Sequence, residues 1–278
     1  GRPSFRMIGT DPACSDVQIP PLQGRSAASL LSTRKKWCLE GDDRLAYDYL
    51  CTAANGEFYS IYGNDAGGAD AVAFNPYRLH WGNQPRWIEA EEAKMQDGLR
   101  MCRPKPWGWF PEAFTADQRI LEAEELRLLT YAALSYGIKF LNYYIYQEKT
   151  IAGFSKSPSL LSAIRKINGE LKTLEPILGS ALPLSVQTLG ERKDGTRVAI
   201  LWSGGENLGE GLLVVVRNLD YRSTRGPNLN NGKKRFKIIS KENIQIQIRK
   251  PSWLTVQKVE DPLTHVVIPH QMDGEMIR

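Results

Sequence analysis

Histidine and cysteine are scarce in this chain. Three histidines (His80, His265, His270) and four cysteines (Cys14, Cys38, Cys51, Cys102) are scattered over 278 residues. With no CxxC pair and no histidine cluster beside it, metal-ligand spacing is missing, so no metal is expected and the cysteines read as buried free thiols. A GxSxG nucleophile elbow is also lacking, which removes the usual serine hydrolase arrangement. No apolar run approaches the roughly 20 residues that span a bilayer, so no membrane partner is expected. The opening GRPSFRMIGT has neither a start Met nor a signal-peptide apolar region. The natural N-terminus is therefore expected upstream, and location stays unread, with secretion or a periplasmic site both open.

Charge of one sign is lacking too. Thirty-six Lys and Arg face 31 Asp and Glu, a net charge of +5 spread along the chain, which does not point to a nucleic-acid partner. The one basic stretch, RSTRGPNLNNGKKRFK, carries a single Phe and much turn chemistry, without the interleaved aromatic platforms that single strands stack on. The glycines of SGGENLGEG look like a phosphate loop, but strand-forming runs flank them on both sides where a nucleotide motif needs a helix to follow. The segment reads as a hairpin connection.

What the chain does have is 42% hydrophobic residues in two different rhythms. Up to about residue 180, short apolar runs alternate with amphipathic stretches, the pattern of βα units on a parallel sheet. Strands are expected at 4–9, 44–50, 69–74, 106–110 and 138–146. A helix should follow PWGWFPEAF, capped by Thr115 with Gln118 three residues on and stopped at Gly137, with Ile120, Leu121, Leu128 and Leu129 inward. A second helix should start after Ser157 and Pro158, with Leu160, Leu161, Ile164, Ile167, Leu171 and Leu174 recurring at helical spacing. From about residue 181 the rhythm becomes short β-rich runs: VAILW, GLLVVV, RFKII, IQIQI, LTVQKV and HVVI. The alternation Ile244-Gln245-Ile246-Gln247-Ile248 is the cleanest. The expected organisation is an α/β domain over 1–180 and an antiparallel β-sandwich of about six strands over 181–278.

Three runs carry a family resemblance: KPWGWFPEAF, EAEELRLLTYAALSYGIKFLNYYIY and LLSAIRKINGELKTLEPIL. Together with ADAVAFNPYRL, they resemble the end of the barrel in TIM-barrel glycoside hydrolases of the glycosidase superfamily, β-galactosidase-like. A whole eightfold barrel takes about 250 residues, so the resemblance implies a partial (β/α)8 barrel, about strands 4 to 8, ahead of the sandwich. It places an acid/base carboxylate at the end of the fourth strand and a nucleophile at the end of the seventh, positions held here by Asp11 and Glu112. Two such carboxylates flank a glycosidic oxygen, one protonating the leaving group and one attacking the anomeric carbon. The resemblance also makes Tyr77, in NPYRL, a hydrogen-bond partner of the nucleophile.

Flat aromatic faces pack against pyranose C–H groups, which makes Trp109, Tyr144 and Tyr146 candidate substrate-binding residues beside Tyr77. The expected activity is that of a retaining hydrolase acting on an oligo- or polysaccharide, with no cofactor. The sequence departs from the family pattern in reading Thr10-Asp11-Pro12 where Asn-Glu-Pro is usual. That departure motivates an alternative, a non-catalytic carbohydrate-binding or structural protein on a degenerate glycosidase scaffold.

Overall fold

The computed structural model describes residues 7–9, 71–74, 86–102, 106–115, 120–146, 152–185, 195–205, 209–223 and 235–278. The candidate strand at 44–50, Gln118, Asp11 and Tyr77 lie outside these. The chain divides into two compact units, Gly1–Glu112 with Ile138–Ile145, and Ala113–Gly137 with Tyr146–Arg278.

The first unit is built on a parallel sheet. Its strands are β1 (Met7–Gly9), β2 (Ala71–Phe74), β3 (Trp107–Trp109) and β5 (Phe140–Leu141), hydrogen-bonded in that order. Met7 pairs with Ala71, Ala73 with Gly108, and Gly108 with Phe140, all parallel. Sequential parallel order requires a crossover between neighbours, and helix α1 (Trp87–Cys102) supplies it between β2 and β3. Consecutive residues Trp107, Gly108 and Trp109 are all buried. Both faces of β3 are therefore covered, as parallel sheets require. β1 and β2 are direct neighbours.

Within this sheet Gly108 is needed as glycine. A Cβ there would stand 2.1 Å from Cε2 of Phe140, its register partner, so the ring fills the space a side chain would take.

The second unit centres on a long hairpin, β8 (Thr196–Gly205) against β9 (Gly209–Asn218), with β7 (Leu182–Ser185) on the other edge of β8. Strands thus run antiparallel on both sides of the glycine-rich connection, and Gly205 pairs with Gly209. One face of the hairpin buries Ala199, Leu201 and Val215 together with Ala181, against Tyr131. The other buries Val198 and Ile200 against Ile248 and Ile277, with Ile246, Val256 and Val259 around them. Helices α2 (Ala123–Ser135) and α3 (Pro158–Ser180) pack on this sheet. A two-period alternation thus feeds two separate apolar layers, which is how one hairpin holds together a helical and a β-rich covering.

Helix α3 forms where its spacing predicts. The Ser157 hydroxyl accepts from the Leu160 N–H, Pro158 opens the first turn, and Leu160, Ile164, Ile167 and Leu174 are buried. Its last turn is closed by Ser203, whose hydroxyl donates to the Ile177 carbonyl at 3.0 Å.

Helix α2 starts later than its expected cap. Thr115 belongs to β4 (Phe114–Thr115), which pairs with β6 (Ala152–Gly153), so its backbone is taken up by a ladder. Glu122 is the N-cap instead: its N–H donates to the Glu125 carboxylate at 2.9 Å, while its own carboxylate accepts from the Phe236 N–H at 3.0 Å. The helix ends at the expected glycine. Gly137 has φ +74°, and a Cβ would meet Pro183 of β7 at 2.7 Å, so both its conformation and the close approach of Pro183 call for glycine.

The two helices are tied side by side. The Tyr131 hydroxyl donates to Glu170 at 2.8 Å, Arg127 pairs with the same carboxylate, and the Arg127 guanidinium lies 4.8 Å from the Tyr131 ring centre. Burial, and then the bond to Glu170, push the Tyr131 phenol up from 10.0 to about 12. A phenol whose folded-state pKa is raised contributes stability that is full below the unfolded value and is lost as pH climbs through the folded one. The melting temperature is therefore expected to fall between pH 10 and about pH 12 more steeply in the wild type than in Tyr131→Phe. Parallel curves in a thermal scan at stepped pH would refute the linkage.

Toward the C-terminus the β-rich runs form small sheets. β10 (Tyr221–Ser223) pairs with β11 (Phe236–Ile238), and β12 (Ile248–Arg249), β14 (Met276–Ile277) and β13 (Met272–Asp273) make a three-stranded set in that order. Ile244, Ile246 and Ile248 do turn inward while Gln245 and Gln247 face solvent, but only Ile248 of that run enters a ladder. LTVQKV forms no strand, and HVVI contributes one isolated bridge, Val267 to Glu260. Pro251, Pro262 and Pro269 each remove a ladder donor, and positive φ at Asn243 and His265 turns the chain away.

Candidate functional site

The parallel pairing of β3 and β5 runs on past the strands proper. Trp107 accepts from the Lys139 N–H at 2.9 Å, Trp109 from Asn142 at 3.1 Å, and Pro111 from Tyr144 at 3.2 Å. Pro111 has no N–H to give, but only its carbonyl is used, so the ladder tolerates it. Its last step is a parallel bridge between Glu112 and Tyr144. Register partners on parallel strands stand at the same height. Glu112 and Tyr144 therefore occupy neighbouring positions beyond the C-terminal strand ends, the edge on which α/β proteins gather their ligands.

Depth separates the candidates. Glu112 and Trp109 are both 0% exposed, and Trp107 is nearly so. Tyr144 is half-buried. So is its neighbour Tyr143, whose phenol burial pushes well above its usual range. Tyr146 is 59% exposed and falls in the second unit, where its ring meets Phe154 edge-on at 5.3 Å and its carbonyl accepts from the Ser155 N–H. Of these aromatic side chains, Tyr146 offers the most open face and Trp109 none. Glu112, Trp109 and Tyr144 are thus brought together by one pair of strands, and Asp11 and Tyr77 lie outside the described residues.

A carboxylate shielded from water is costly unless the fold supports it, and Glu112 is one of the described acids held in that state, as is Glu125 of α2. Glu112 is not alone in the first unit: Glu91, Glu92 and Lys94 of α1 are also buried. Sequence reading passes over these because WIEAEEAKM carries the charge density of a solvated helix face. The only signal is the i, i+3 spacing that sets Glu91 beside Lys94, a common surface pattern.

Among the described residues, no group of three or more His, Cys, Asp and Glu side chains gathers to hold a metal ion. No described helix is long and apolar enough to cross a membrane. Comparison of the chain with protein-family models, with curated proteins and with solved structures finds no match.

Proposed function

We propose that the chain is a carbohydrate-active protein, a retaining glycoside hydrolase, with residues 1–180 taken as about strands 4 to 8 of a (β/α)8 barrel. The observation that carries this reading is the place of Glu112, beyond the C-terminal end of β3 and in register with Tyr144 on the adjacent parallel strand. Glu112 is assigned as nucleophile and Asp11 as acid/base. In the first step the Glu112 carboxylate attacks the anomeric carbon while Asp11 gives its proton to the departing oxygen. In the second, Asp11 takes a proton from water as that water displaces Glu112. Tyr144 and Tyr77 are assigned to the substrate, an oligo- or polysaccharide.

A second reading, a non-catalytic carbohydrate-binding or structural protein on the same scaffold, rests on a separate observation. Glu112 has no exposure, and a nucleophile must meet the anomeric carbon. The experiment that separates them follows hydrolysis of aryl galactosides and glucosides by proton NMR. The hydrolase reading expects the first-formed sugar to keep the anomeric configuration of the substrate. Inversion would remove the nucleophile role of Glu112, and oligosaccharide binding without any hydrolysis would favour the second reading.

A further inference from the structure

We draw no further inference here: the strongest candidate, the exposed apolar side chains Trp253, Val266, Val267, Ile268 and Met272 of the C-terminal segment, carries nothing because no feature of the structure shows what covers them.

Discussion

Replacing Glu112 by Gln is expected to lower the turnover of aryl glycosides by at least about a thousandfold, the scale on which loss of a covalent nucleophile acts. An amide of the same shape fills the space left by the carboxylate, so the packing beyond β3 survives. It cannot form the ester to the sugar that retention requires. Oligosaccharide affinity, set by aromatic faces, should stay within about threefold, a difference of well under 1 kcal/mol. Turnover measured beside calorimetric binding separates the two effects. A variant that still hydrolyses at the wild-type rate would move the nucleophile elsewhere. One that loses binding and turnover together would mark Glu112 as a structural group, because removing an acid that only supports its surroundings disturbs everything nearby.

Gly108→Ala is expected to destabilise the first unit. The added Cβ would lie 2.1, 2.3 and 2.5 Å from three ring atoms of Phe140. No small shift clears three contacts of that kind, so the ring must swing off the strand and expose what it covers. Overpacking of this sort costs about 1 to 3 kcal/mol. The cost falls on β3, the strand that leads to Trp109 and Glu112, so turnover should fall along with the melting temperature. Because the clash belongs to one pair, the double variant Gly108→Ala/Phe140→Ala should lose less than the two single changes added together. Strict additivity in a denaturation series would show that the ring is not what the methyl strikes.

Much of the local structure is legible in the sequence where one force dominates. Helix α3 is written in its Ser157-Pro158 start and its stripe of Leu and Ile, because a single apolar face on a well-capped helix leaves few alternatives. The apolar runs at 69–74 and 106–110 contain β2 and β3, and β3, covered on both faces, reads as an unbroken apolar run. Gly137 reads as a stop because only glycine takes its positive φ cheaply.

Choices between near-equal partners are less legible. Thr115 reads as the cap of α2, but the pairing of β4 with β6 takes up its backbone through contacts distant in sequence, and the cap falls to Glu122. The alternation at 244–248 sorts isoleucine from glutamine correctly, yet alternation does not say whether a strand neighbour exists. Nearby prolines, rather than hydrophobicity, settle how the C-terminal runs are divided. At the site, the resemblance points to Glu112 by its place in WFPEAF. Its depth depends on residues packed from elsewhere, and no local pattern encodes that.

The most direct measurement is to incubate the protein with a fluorinated glycoside that forms a glycosyl-enzyme but hydrolyses slowly, and to locate the adduct by peptide mass spectrometry. A sugar ester on Glu112, absent from Glu112→Gln, is the predicted result. An adduct on any other carboxylate, or hydrolysis that continues with no adduct formed, would contradict the account.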